Sequence, residues 1–389
     1  NARLQQLDWD EWRDQFARLT RRESGQALAL PVREASLQVA DFNGFGRQLN
    51  TLDASLARVE GGWLLALEQQ DIRGQILWPD SDRPARIDLQ HFNLPRPAKH
   101  DPDSAIAKPL LPVDPLADVD PASLPELDLH IEELRWGGEA VGELRTRLRR
   151  SEQGMRLHDL DIDLRGLRLT GDLDWSGQGH SRFDGVLQAD DIGQVLRAWK
   201  YAPTLTSDTF VTDARLQWPG SPAFFALSRS TGELRLQARN GMLQSGDGSA
   251  EALRVFGLLN FNALTRRLRL DFSDLFGKGT AYDTLGGKLR VEQGVLSTME
   301  PLRLEGPSAR LKLEGQLDLP QDNIDMGLLV TLPVTNNLPL AALIVGAPAI
   351  GGALFVVDKL LGDRVARFAS VQYDVKGPWQ APKISFDKP

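Results

Sequence analysis

The chain has 389 residues, and its 53 acidic side chains outnumber 45 basic ones, which gives a formal net charge of -8. Negative charge disfavours a phosphate backbone as the main partner, so we expect no binding of nucleic acid. The sequence contains no cysteine, which excludes disulfides, thiolate nucleophiles and cysteine-ligated metals. Asn1 opens on polar sequence without a signal peptide, and we expect the targeting segment to lie outside this chain.

Residues 1–93 predict one helix followed by amphipathic strands. Asp8 is a suitable N-cap for a helix that continues to about Arg22, because apolar residues recur there at three- and four-residue spacing. From Ala35 to Leu89, apolar and polar residues alternate, which is typical of strands with one apolar and one polar face. We therefore predict that these residues form one segment of an antiparallel sheet.

Prolines recur throughout residues 94–125, with Asp and Ala between them. Proline cannot donate a hydrogen bond to a sheet and restricts the residue before it, so this stretch predicts a linker or a long loop. The interpretation divides the chain into an N-terminal segment of residues 1–93, the linker, and a C-terminal segment of residues 126–389.

In the C-terminal segment the alternation resumes at Leu127 and is clearest over residues 285–319. A helix is predicted from Asp190, and Ser249 is a candidate cap for a second short helix. Turn-forming pairs such as Gly286-Gly287 separate short pieces with one apolar and one charged face. This pattern predicts a mainly β fold, an antiparallel meander with a one-sided apolar surface and a few short helices.

A charge-free run covers residues 326–357. Its second part, residues 338–357, approaches the roughly 20 apolar residues that a membrane-spanning helix requires, although Pro348 disfavours a plain spanning helix. We predict a C-terminal apolar helix or helical hairpin that is interfacial or caps a groove, and that continues through Phe368. A buried core helix and a transmembrane span are the alternatives. The predicted membrane-contacting residues are Leu343, Ile344, Val345, Ile350, Leu354 and Phe355.

We find no residue pattern that predicts an enzyme. The five histidines lack metal-ligand spacing, and residues 277–280 lack the glycine spacing of a phosphate loop. Asp159, Asp161 and Asp163 could mimic a calcium ladder, but a solvated strand face is the favoured interpretation. The sequence therefore predicts no catalytic residue, no metal and no cofactor.

Several segments resemble the C-terminal part of YhdP-type proteins in the AsmA-like family of periplasmic bridge-like lipid-transfer proteins. They are RLDFSDLFGKG at 269–279, GKLRVEQGV at 287–295, LRLEGPSAR at 302–310, GQLDL at 315–319, the run from 338 to 361, and GPW at 377–379. The resemblance implies a long, curled antiparallel sheet that forms an apolar groove. It implies phospholipid transfer between inner and outer membranes, a periplasmic location with an inner-membrane anchor outside this chain, and envelope protein partners.

The residues themselves leave two roles open for the apolar faces, because such a face either holds acyl chains or forms the core of a β-sandwich. With the resemblance, we predict that they bind lipid, and the alternative is a non-catalytic envelope scaffold or assembly protein. A hydrolase of an envelope polymer is a third hypothesis, for which no polar pocket can be named. The predicted lipid-binding residues are Leu234, Leu236, Leu268, Leu270, Leu289, Val291, Leu302, Leu304, Leu311, Leu313, Leu317 and Leu319.

Overall fold

The computed structural model describes residues 2–8, 33–44, 47–95, 113–243, 280–334, 354–361, 364–378 and 382–386. These residues are mainly β, as the alternation predicts, with one short α-helix and three 3-10 turns among them. The chain divides into two compact units. Unit 1 comprises Asn1–Leu164, Leu169–Phe183 and Pro219–Phe225, and unit 2 comprises Arg165–Arg168, Asp184–Trp218 and Ala226–Pro389.

The first eleven strands are β1 Ala2–Asp8, β2 Glu34–Gly44, β3 Arg47–Val59, β4 Gly62–Glu68, β5 Ile72–Pro79, β6 Ala85–Leu94, β7 Leu127–Trp136, β8 Glu139–Ser151, β9 Gly154–Leu164, β10 Leu167–Ser176 and β11 His180–Ala189. Helix α1 follows at Ile192–Ala198. The remaining strands are β12 Thr209–Pro219, β13 Thr231–Leu243, β14 Thr280–Glu292, β15 Val295–Glu305, β16 Arg310–Asp318, β17 Asn323–Val334, β18 Leu354–Leu361, β19 Arg364–Pro378 and β20 Lys383–Phe386. The 3-10 turns are Pro121–Ser123, Pro222–Phe224 and Leu227–Arg229.

In unit 1 most strands pair with their sequence neighbours in antiparallel order, from β2 to β6 and from β7 to β9. Two pairings are parallel, β1 with β2 and β6 with β7. Parallel neighbours need a long crossover connection, and both pairs have one, at residues 9–33 and 95–126. The sheet is therefore mixed, although antiparallel pairs dominate as predicted.

The proline-rich stretch is one of these crossovers, because β6 and β7 lie side by side at its two ends. Its described part, from Val113 onward, is fastened within unit 1 by Asp114. The Asp114 carboxylate accepts hydrogen bonds from the backbone N–H of Ser221 at 2.7 Å and from the Ser221 hydroxyl at 2.6 Å. The division of the chain into domains at residues 94–125 stays a prediction.

Unit 2 is an antiparallel succession from β12 to β17, after which β19 pairs with β17 on one side and with β18 and β20 on the other. The predicted helix near Asp190 is confirmed as α1, whose N-cap is Asp191. The Asp191 carboxylate accepts a hydrogen bond from Gly193 N at 2.8 Å, which satisfies a free donor of the first turn. Within the described ranges, no helix is long and apolar enough to cross a membrane.

The prediction of a C-terminal apolar helix that continues through Phe368 is wrong over its described part. Leu354 and Phe355 belong to strand β18, and Leu360, Val365 and Phe368 lie in the β18–β19 pair. Valine and phenylalanine recur in both segments, and their branched or aromatic side chains suit a pleated strand better than a helix. Residues 335–353, which include Leu343, Ile344, Val345 and Ile350, lie outside the described residues, as do the predicted helices after Asp8 and at Ser249.

Candidate apolar lipid-contacting faces

Strand register brings most of the predicted lipid-binding residues of unit 2 onto one face of its sheet. Leu234 lies opposite Leu289, and Leu302 lies opposite Leu313. Side chains at alternate positions of a strand lie on one face, and the registers place five more of the predicted residues on this face: Leu236, Val291, Leu304, Leu311 and Leu317. Leu319 follows the end of β16 and its N–H donates to Gly294 O at 3.1 Å. Leu268 and Leu270 lie outside the described residues.

The opposite face of the same strands is charged. Arg290 lies opposite Glu233, and Arg303 lies opposite Lys312. Glu233 also forms an ion pair with Lys288, with 2.6 Å between Nζ and Oε2, and this hydrogen bond lowers the pKa of Glu233. Exposed ion pairs of this kind contribute little stability, but they fix this face as the solvated one.

The apolar face of unit 2 has two edges, one at each end of its strands. The face is buried at these two edges and partly exposed between them. At one edge Val291 is 0% exposed, whereas Leu289, one step further along the same face, is partly exposed. We name the partly exposed set the unit 2 apolar band. It consists of Leu234, Leu236, Leu289, Leu302, Leu313 and Leu328, which lie on five strands from β13 to β17.

One edge of this face lies against the segment 226–230. Gln293 N donates to Ser230 O at 2.8 Å, and the Ser230 hydroxyl donates to Ala226 O at 2.8 Å. Ala226 and Leu227 are buried, as are Val291 of β14 and Leu296 of β15. The segment therefore closes this edge, and Val291 belongs to a small core rather than to an open surface.

The other edge is closed by helix α1 and the chain that follows it. Ile192 and Val195 of α1 form a buried cluster against which Leu205 and Phe210 pack. Leu205 and Phe210 also pack against a second cluster, formed by Ala238, Tyr282 and Leu304. The apolar band is thus a strip that crosses the strands between two packed edges.

Unit 1 carries a comparable strip that the sequence interpretation did not assign to lipid. Leu56 lies opposite Leu65, Leu65 opposite Ile76, Ile76 opposite Ile87, and Ile87 opposite Leu129. All five are partly exposed, and we name them the unit 1 apolar band. The two-residue period in residues 35–89 was the signal for it, because that period predicts the same kind of face.

The YhdP protein family matches residues 1–384 of the chain. The chain belongs to the YhdP family. A relative from Escherichia coli (strain K12), named intermembrane phospholipid transporter YhdP, is 23% identical over 379 residues. The match covers 96% of this chain and 29% of that protein, so the chain spans less than a third of the length of its relative. No solved structure matches the chain.

In the described part of this YhdP-family chain, no group of three or more His, Asp or Glu side chains could hold a metal ion. Of the aspartates 159, 161 and 163, the first two face basic residues, and Asp163 lies opposite Glu143. Asp159 forms an ion pair with Arg147, and Asp161 lies opposite Arg145. Pairs of opposite charge thus form on this face of unit 1 at Asp159 and Asp161, and the solvated-face interpretation stays a prediction.

Tyr282 provides a test of how tightly the α1 edge is closed in this YhdP-family chain. Its hydroxyl donates to Thr206 O at 2.6 Å, and burial, with smaller effects from Asp191 and Asp208, raises its pKa from 10.0 to about 12. The folded state thus favours the neutral phenol. This contribution to stability is complete below the unfolded pKa near 10 and is lost as pH rises through about 12.

We expect the urea midpoint of the wild-type chain to fall over that pH interval. Tyr282→Phe should be less stable at pH 8, because Thr206 O loses its donor, and should lose less stability than wild type between pH 10 and 12. Urea titrations at several pH values measure both effects. Parallel pH dependence in the two proteins would show that Tyr282 ionises as freely in the folded state as in the unfolded one.

Proposed function

We propose that this chain is part of a conduit for phospholipid transfer between membranes, in which acyl chains lie on the two apolar bands. The observation that carries the proposal is the partial exposure of a row of leucine and isoleucine side chains that crosses successive strands in each unit. Each methylene that leaves water gains about 0.8 kcal/mol, so a lipid needs continuous apolar contact along its path. The name of the E. coli relative supports this role.

The charged faces support the same role. A transfer protein must stay solvated while it shields acyl chains, and outer ion pairs such as Lys376–Asp325, at 3.4 Å, keep that side in water. Contacts of this kind are spread over many aliphatic side chains and involve no reactive group. We propose accordingly that the chain is not an enzyme and needs no cofactor.

The finer features are proposals that rest on the resemblance. We propose that the chain is the C-terminal part of a longer transporter, located in the periplasm, with its inner-membrane anchor outside this chain and with envelope proteins as partners. We also propose that residues 338–353 contact a membrane, since an apolar run of this length is costly in water.

A photo-crosslinking residue tests which face contacts lipid. At Leu289 or Leu313 it should capture phospholipid from labelled liposomes, because both positions lie in the unit 2 apolar band. At Arg290 or Arg303, on the charged face, it should capture little. A probe at Ile344 should capture lipid while intact liposomes are present and lose the signal when they are removed. Labelling of the two faces to equal extents would contradict the assignment.

Mass spectrometry of organic extracts separates transfer from the scaffold alternative. The purified chain should retain phospholipid in proportion to protein and take up labelled phospholipid from liposomes. A chain that carries no lipid and takes up none would instead be a structural element of the envelope. The apolar bands would then be covered by a protein partner.

A further inference from the structure

Four side chains form a polar and aromatic cluster beside the unit 1 apolar band. They are Arg58, Trp63, Trp78 and Asp80, which we name the rim cluster. Arg58 lies opposite Trp63 in the β3–β4 ladder, and Trp63 lies opposite Trp78 in the β4–β5 ladder. The three therefore share the face of the band and lie one step beyond its row, where the strands end.

The guanidinium of Arg58 and the carboxylate of Asp80 form a bidentate pair. The two N–O distances are 2.7 Å and 2.5 Å, and the Arg58 guanidinium carbon lies 5.3 Å from the centre of the Trp63 ring. Both side chains remain more than a third exposed. The pair is thus positioned by an aromatic ring but remains open to an exchange of partners with a ligand.

Trp78 is the second unusual feature of the rim. It is 50% exposed, whereas Trp175 and Trp218 are buried at the ends of other strands. An exposed indole leaves a large apolar surface in water, and tryptophan is favoured where an apolar layer meets a polar headgroup layer. Because Trp78 lies beside the band, the cluster combines an aromatic ring with the cation of Arg58 and the anion of Asp80 at the edge of an apolar surface.

We propose that the rim cluster binds a zwitterionic phospholipid headgroup, a phosphodiester beside a primary ammonium. The phosphate accepts the two N–H donors of Arg58, and the ammonium donates to the carboxylate of Asp80 and lies over the ring of Trp78. The acyl chains continue onto Leu65 and Ile76 of the unit 1 apolar band. This inference rests on the proposed lipid transfer and adds a preference among lipids to it.

The two charges of the cluster decide between headgroup classes. An anionic headgroup that lacks an ammonium would engage Arg58 but would place its own charge near Asp80, which repels it. A zwitterionic headgroup replaces the Arg58–Asp80 ion pair with two others, phosphate with Arg58 and ammonium with Asp80. Every charge then keeps a partner. The cluster therefore selects for the zwitterion, although each contact is exposed and the preference is modest.

The test is a loading competition from vesicles that contain equal amounts of phosphatidylethanolamine and phosphatidylglycerol, followed by extraction and mass spectrometry. Wild type should be enriched in the ethanolamine lipid. Asp80→Asn should lower the ratio of ethanolamine to glycerol lipid by about two- to fivefold, the range for an exposed ion pair. Arg58→Gln should lower loading of both lipids, because the phosphate is common to them. Trp78→Leu keeps an apolar side chain and should also lower the ratio.

Glu68→Gln is the matched control, because Glu68 pairs with Arg73 at 3.3 Å on the same hairpin but at its other end and on the charged face. It should leave the ratio unchanged, and thermal unfolding of each variant checks the fold. An unchanged ratio in both Asp80→Asn and Trp78→Leu, with normal total loading, would overturn the headgroup site and leave lipid transfer intact. Absence of any loading in wild type would overturn the proposed function itself.

Discussion

Replacing Leu289 and Leu313 together with glutamate should reduce phospholipid loading of unit 2 by more than tenfold while the β-sheet persists. Both residues lie in the middle of the unit 2 apolar band and are already partly exposed, so a carboxylate there can remain hydrated in the lipid-free protein. When an acyl chain covers the band, the carboxylate would lose that water without gaining a partner, which costs several kcal/mol. The measurement is capture of labelled phospholipid by a photo-crosslinking residue at Leu302, which lies opposite Leu313 in the same band, with circular dichroism to verify the sheet.

The control is Gln237→Glu with Gln316→Glu, which adds the same charge to two other strands of unit 2. Both glutamines are exposed and lie on the charged face, opposite Gly286 and Ser297 respectively. This variant should load lipid like wild type. A comparable loss of loading in the two double variants would mean that net charge, and not contact with the apolar band, controls uptake.

The face of each strand could be predicted because it depends only on parity along the chain. Leu289 and Arg290 are neighbours in β14, and their assignment to opposite faces follows from the two-residue period without knowledge of any partner strand. The mainly β fold could be predicted for the same reason. The pair Leu302–Leu313 then required only that strands close in sequence pair as a hairpin, whereas the pair Leu234–Leu289 joins strands that are separated by residues 244–279.

The exposure of individual residues on that face could not be predicted. Leu289 and Val291 have similar side chains and share one face of one strand, yet Val291 is buried and Leu289 is not. The difference arises from the segment 226–230, which lies against one edge through a hydrogen bond from Gln293 to Ser230. Such coverage depends on tertiary contacts between distant parts of the chain, which strand periodicity does not contain.

The C-terminal strands show how an apolar run can be misread. Hydrophobic length favoured a helix through Phe368, but Leu361 pairs directly with Arg364 and only Gly362-Asp363 stands between them. A two-residue connection whose first residue is glycine, between segments rich in valine and phenylalanine, is typical of a β-hairpin. Turn chemistry was therefore the informative signal, and average hydrophobicity was not.

The largest effect on stability is expected from Gly142→Ala inside β8. Gly142 lies opposite Leu134 on one side and Leu164 on the other, so two ladders converge at this point. A Cβ atom added here would lie 1.6 Å from the carbonyl oxygen of Asp163, a backbone atom that cannot move without separating β8 from β9. We expect the free energy of unfolding to fall by about 3 kcal/mol or more.

Gly286→Ala is the matched control, because Gly286 is also in the interior of a strand and its added Cβ would lie 3.3 Å from Leu236 O. A shift of a few tenths of an ångström accommodates that contact, and alanine also restricts the unfolded chain, so the net change should stay within about 1 kcal/mol. Urea unfolding of both variants measures the difference. Equal stability of the two would show that β8 and β9 can separate at Gly142 at little cost, and the ladder that joins them would then not limit the stability of unit 1.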